Sequence, residues 1–167
     1  FLSVGMNVRL LGPIPTPGVA YLTKSFRNQC GVVISASHND YHDNGIKIFD
    51  NDGIKIDRKI EMMIENILSE KITSVPSVEI GKAKRFDESG PRYVEFCKST
   101  VPDGISFTDL RIVLDCANGA AYKVTPDVFR ELGADVVVVG DQPDGFNINK
   151  DCGSTNPCLL YTSPSPR

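Results

Sequence analysis

Twice along this chain a short β-branched run follows a segment of helical periodicity, and that repeated pattern narrows the fold more than any other feature. In the first case Val19, Leu22 and Phe26 recur at helical spacing ahead of Gly31-Val32-Val33-Ile34. Upstream, Asn7-Val8-Arg9-Leu10-Leu11 reads as a strand closed by Gly12. Pro13-Ile14-Pro15-Thr16-Pro17 then stops the strand and starts the helix, with Thr16 able to cap and Pro17 suited to the first helical position. In the second case Arg111–Asp115 is a strand and Cys116–Ala120 its turn. A helix from about Thr125-Pro126 is expected to bury Val128, Phe129 and Leu132 and to end at Gly133, before the strand Ala134–Val139. Strand, helix, strand, given twice, is the α/β class, with a mixed sheet covered by helices. A continuous apolar run such as Val32-Val33-Ile34 is expected where a strand is covered on both faces.

Between the two units lie further elements. Gly45–Ile56 contains two alternating runs around Asp52-Gly53, a hairpin signal because that pair tolerates positive φ. Alternation puts Ile46 and Ile48 on one face and Lys47 on the other. A helix follows from about Asp57, with Ile60, Met63, Ile64, Ile67 and Leu68 on one stripe expected to face a core. From Thr73 to Pro91 the pattern loosens around Pro76, Gly81, Gly90 and Pro91, as a connection between domains would. Beyond it Tyr93, Phe96 and Cys97 share a helix face. The expected organisation is one unit over 1–73, a connection over 74–90 and a second unit over 91–157. Residues 158–167 match the translation of a transposon-type sequencing adapter and are expected to be a non-native tail outside the fold. The start at Phe1-Leu2-Ser3, without an initiator methionine, fits an internal piece of a longer protein.

Composition removes several classes of function. A net charge of −3 and a pI near 5.4 supply no basic field for nucleic acid or for an anionic membrane. No apolar run approaches the roughly 20 residues of a membrane span, and the first residues do not read as a charged-then-apolar secretory signal. The five cysteines are scattered without a Cys-x-x-Cys pair, which argues against a disulfide framework and for a reducing cytoplasm. Nothing implies a protein partner.

The chemistry is concentrated in Ser35–Lys47. A strand delivers Ser35, Ser37, His38, Asn39 and Asn44 into one loop at its carboxyl end, where α/β sheets bind ligands. A hydroxyl there can carry a phosphoryl group, adding roughly two negative charges and three acceptor oxygens. Such a group attracts Mg²⁺, which combines phosphate oxygens with carboxylates, and Lys47 could reach back into the loop. The same composition also suits an ordinary turn whose side chains satisfy backbone groups. His42 reads as a surface histidine.

This loop resembles the active-serine signature of the α-D-phosphohexomutases. The likeness runs from Val4 to Pro157 and includes Gly12–Pro17, Gly31–Asn39, Asp43–Lys47, Arg92–Lys98 and Asp115–Ala120. It implies parts of two phosphohexomutase-type α/β domains, the first carrying the active serine. Ser35, where phosphomannomutases and phosphoglucomutases usually place threonine, and the Arg92–Lys98 run point to the branch acting on glucosamine phosphate. The resemblance makes Ser37 the phosphate-carrying serine, whose phosphate also contributes a ligand to one Mg²⁺. Ser35 is then structural. His38 and Asn39 shape the site, Lys47 falls at a candidate acid/base position, and Asp115 belongs to a structural strand-to-turn segment, as Asn118-Gly119 belongs to a turn. The implied substrate is a small-molecule sugar phosphate, and the implied activity an isomerase working by phosphoryl transfer. The metal-binding aspartates, the sugar-recognition loop and the phosphate-clamping domain are expected outside this chain. One departure is Asp40, where the family commonly has proline. A sister enzyme acting on another hexose phosphate, and a non-catalytic α/β homologue, are the competing readings.

Overall fold

Leu22, 1% exposed, marks where the first unit closes. In the computed structural model, which describes residues 1–163, it buries with Ile14, Val19, Val33 and Phe49. These side chains come from helix α1 (Thr16–Ser25), the turn before it, and strands β2 (Gly31–Ser35) and β3 (Gly45–Phe49). Leu11, Ala20, Tyr21, Phe26 and Tyr93 pack around them. Strands β2 and β3 are antiparallel in the register Gly31↔Phe49, Val33↔Lys47 and Ser35↔Gly45. The turn at Asp52-Gly53 forms as its composition predicts, with the second run reduced to a single bridge from Lys55 to Phe49. Gly53 has φ 74°, and the Asp50 carboxylate accepts from the N–H groups of Asp52 and Ile54. Helix α2 (Arg58–Ile67) starts where Asp57 Oδ1 accepts from Ile60 N at 3.0 Å.

The remaining strands make two parallel pairs. β1 (Val8–Leu10) lies beside β4 (Ala83–Arg85), and β5 (Arg111–Asp115) beside β6 (Asp135–Val139). Helix α4 (Val124–Glu131) joins β5 to β6, completing the expected βαβ crossover. Helix α3 (Ser89–Ser99) packs against both α1 and α4, linking the two units. Pro91 is accommodated in its first turn, where backbone N–H groups have no intrahelical partner.

Several expectations are corrected. β1 does not pair with β2, so the first strand–helix–strand run makes no parallel sheet of its own. Its partner β4 lies inside 74–90, which therefore carries a strand and is held by bonds from Val75 N to Ser3 O and Gly81 N to Leu2 O. Thr16 does not cap α1. It is the first helical residue, and the carbonyl of Pro15 accepts from Gly18 and Val19 instead.

β2 is covered on one face only. α1 lies over Gly31 and Val33, whereas Ile34 is 73% exposed and its partner Ile46 is exposed beside it. The α2 stripe is likewise uncovered, with Met63 61% exposed and no buried residue in the helix. Amphipathic spacing identifies a face that can be buried, but the covering surface must come from elsewhere in space. In α4 the fully buried residues are Val124 and Pro126, with Val128, Phe129 and Leu132 outside that buried set. Cys158–Thr162, expected to lie outside the fold, forms a short helix α5 against β5, and residues 164–167 of that tail lie outside the described residues. Among the described residues no helix is long and apolar enough to cross a membrane.

This packing separates two kinds of apolar side chain. Leu22→Ala is expected to cost about 2–5 kcal/mol in urea unfolding of this chain. Met63→Ala should stay within about 0.5 kcal/mol. Equal losses for the two would contradict the uncovered stripe.

Candidate active site

The antiparallel register projects residues 36–44 as a loop from the β2–β3 pair. Ala36 is buried at its root, and Ser37 follows, exposed, with φ 58°. A serine in the left-handed region is uncommon and is sustained by its surroundings. The Ser35 hydroxyl accepts from Ser37 N at 3.0 Å, and Asn39 N donates to Ala36 O at 3.0 Å. Ser35 is thus a turn-forming side chain, and Ser37 is exposed, its hydroxyl making no hydrogen bond among the described residues. Asn39 Nδ2 donates to Asp43 Oδ2 at 2.7 Å, and Asn44 Nδ2 donates to Tyr41 O at 2.8 Å. Asp40 and His42 are both exposed.

Lys47 lies opposite Val33, on the sheet face that carries Ser35. It sits two residues along the strand from the loop root, about 7 Å away. It is half-buried, and its ammonium makes no hydrogen bond or ion pair among the described residues. Ser37, His38 and Asn39 are consecutive in the loop, and Lys47 lies two residues along β3 from its root with no contact to them among the described residues.

Sequence reasoning missed the second wall of this site. Asn149 Nδ2 donates to Ser37 O at 3.1 Å and to Asn39 O at 2.8 Å. Ser154 Oγ lies 3.1 Å from His38 Nδ1, and Phe146 meets the Tyr41 ring edge-on at 5.3 Å. The only available signal was a run of residues that tolerate positive φ, and Asn149 (59°), Asp151 (55°) and Gly153 (82°) do adopt it. Nothing in local spacing ties this run to a loop more than a hundred residues earlier.

That wall is held by the end of β5. Asp115 Oδ1 accepts from Ala117 N at 2.9 Å and Oδ2 from Gly153 N at 2.7 Å. Asn149 N donates to Ala117 O at 2.9 Å, and Asn118 Oδ1 accepts from Gln142 N at 3.0 Å. Asp115 has both oxygens committed to backbone, and Asn118, at φ 49°, sits in a turn. Cys116 and Cys152 are buried alongside, and no disulfide joins them. Burial first, then the Asp141 and Asp115 carboxylates, pushes the Cys116 thiol up to about 11. Burial and the Asp115 and Asp151 carboxylates raise Cys152 as well.

The Mg²⁺ that the resemblance implies needs near-octahedral oxygen coordination. Among the described residues no three His, Cys, Asp or Glu side chains converge as a metal site. Near the Ser37 hydroxyl the loop offers Asp40 and Asp43, and Asp43 Oδ2 already accepts from Asn39. The residues present do not supply the coordination.

Residues 1–74 match the family profile described as phosphoglucomutase/phosphomannomutase, alpha/beta/alpha domain I. A Thermus thermophilus protein described as a candidate phosphomannomutase has a similar fold, with TM-score 0.73 and 24% identity over 85% of this chain and 32% of its own. A phosphoglucomutase/phosphomannomutase family protein of Burkholderia thailandensis gives 0.66 and 24%, covering 86% of this chain and 31% of its own. The fold is of the phosphohexomutase type. Within that class the sequence resembles phosphoglucosamine mutase. Those of Alcanivorax borkumensis and Ectopseudomonas mendocina are each 57% identical over 158 residues, 95% of this chain. The chain spans about 35% of the length of these relatives.

The raised Cys116 value has a direct consequence. Its neutral thiol dominates at pH 8, and only the thiolate is nucleophilic. Iodoacetamide should label exposed Cys158 in the folded chain well before Cys116, with Cys116 reacting once urea is added. Mass spectrometry finding equal early labelling would contradict the buried, acid-flanked site.

Proposed function

We propose that the full-length protein containing this chain is a phosphoglucosamine mutase that carries its transferable phosphate on Ser37. The observation that carries this reading is the exposed Ser37, held at positive φ on a loop in which the Ser35 hydroxyl and the Asn39 amide are engaged with other loop groups. The 57% identity to proteins of that name supports the choice of glucosamine phosphate over other hexose phosphates.

In this reading the phosphoryl group leaves Ser37 Oγ for the free hydroxyl of glucosamine 6-phosphate. That hydroxyl loses its proton, Ser37 Oγ regains one, and a sugar bisphosphate forms. The sugar then turns over, and its 6-phosphate returns to Ser37, releasing glucosamine 1-phosphate. The bond to phosphorus is broken and remade twice, so no net phosphate is consumed. Lys47 is the candidate acid/base group, since it lies on the sheet face leading to the loop without a competing partner among the described residues. His38 and Asn39 orient the loop around the phosphate. The carboxylate ligands of the implied Mg²⁺ come from outside these residues. The product would feed synthesis of UDP-N-acetylglucosamine and cell-wall precursors in the bacterial cytoplasm.

Phosphopeptide mass spectrometry on the full-length protein should find phosphate on Ser37 and none on Ser35. Ser37→Ala should abolish glucosamine phosphate turnover in a coupled assay, by at least about 10³-fold, as expected when the covalent nucleophile is lost. Normal turnover in that variant would end the proposal. The 167-residue chain alone should show no turnover, because the groups that orient the sugar lie elsewhere, and orientation contributes on the order of 7–11 kcal/mol.

A further inference from the structure

We infer that Asn149 is a positioning residue for the active-serine loop, and that the segment Asn147–Ser154 is the clamp that holds Ser37 in its working conformation. The inference rests on Ser37 being the phosphate carrier. Asn149 Nδ2 has two hydrogens, and the structure directs them at two carbonyls of one turn, Ser37 O at 3.1 Å and Asn39 O at 2.8 Å. A single amide thus fixes the peptide planes on both sides of His38-Asn39.

The geometry of the peptide unit makes this consequential. In a trans peptide the carbonyl and the following N–H point in opposite directions. Drawing Ser37 O towards Asn149 turns the His38 N–H to the other side of the loop, where it has no hydrogen-bond partner among the described residues. A free backbone N–H beside a phosphorylated serine is an anion donor that needs no side-chain rearrangement. Holding the Ser37 carbonyl on Asn149 also keeps its negative end off the incoming phosphate.

Asparagine suits the position for two independent reasons. Its backbone is left-handed, φ 59°, which Asn tolerates better than most residues. Its short amide then reaches across without a long flexible stem. Ser154 adds a second contact, with Oγ 3.1 Å from His38 Nδ1, which fixes the imidazole orientation. The clamp is tied by hydrogen bonds to the strand end behind it. Asn149 N is tied to Ala117 O and Gly153 N to Asp115 Oδ2, while Cys152 is buried between them. The conformation of the phosphate-bearing loop in the first unit is thereby set by the β5 end of the second.

Asn149→Gly in the full-length protein separates the two properties, since glycine keeps positive φ and loses only the amide. Its kcat should fall on the order of 10- to 100-fold, as for a misplaced reacting group. KM should stay within about twofold, since no contact to bound substrate is removed, and Tm should fall by only a few degrees, as expected for the loss of two exposed hydrogen bonds. Deuterium uptake should rise across residues 36–44 and stay unchanged in α1. Ser154→Thr, which keeps the hydroxyl, should retain activity that Ser154→Ala loses. An Asn149→Gly protein with parental kcat and parental exchange in 36–44 would overturn the clamp, as would a loss of activity matched by loss of folded protein. Ser37→Ala, run in parallel, distinguishes the two ideas. An inactive Ser37→Ala with a normal Asn149→Gly refutes only the clamp, and an active Ser37→Ala refutes the reading beneath it.

Discussion

The antiparallel register between β2 and β3 is the constraint on which the site depends. Pairing Ser35 with Gly45 turns the residues between them into a closed loop rooted at buried Ala36, and pairing Val33 with Lys47 puts the lysine on the face leading to it. A slip of one residue would exchange the two faces of the strand. Val33 would leave the core it shares with Leu22 and Phe49, so the hydrophobic contact that stabilises the unit also sets where the loop emerges.

The second unit makes a different contribution. Its β5–α4–β6 crossover ends in a polar turn in which Asp115 satisfies backbone N–H groups on two segments. Because both carboxylate oxygens are committed there, Asp115 acts through geometry. The same turn buries Cys116 and Cys152, and that burial together with neighbouring carboxylates raises the pKa of both thiols.

Much of the exposed apolar surface belongs to the first unit. Ile34 and Ile46 form an uncovered patch on the β2–β3 pair, and the α2 stripe is uncovered as well. Their spacing is that of buried elements, and their exposure accords with a chain spanning about 35% of the length of its relatives.

Local chemistry determined many of the turns and helix ends. Asp52-Gly53 makes its turn, Asp57 caps its helix, and Gly133, at φ 100°, follows α4, because each depends on torsions and hydrogen bonds within a few residues. The candidate loop at 36–44 was legible for the same reason, as a dense polar run at a strand end. Which strands pair, which stripe is covered and which distant residues meet the loop were decided only in three dimensions. β1 chose β4 over β2, the α2 stripe stayed exposed, and Asn149 reached Ser37 across more than a hundred residues. Hydrophobic spacing and turn propensity specify a surface, whereas the partner for that surface is selected by the global packing of the chain.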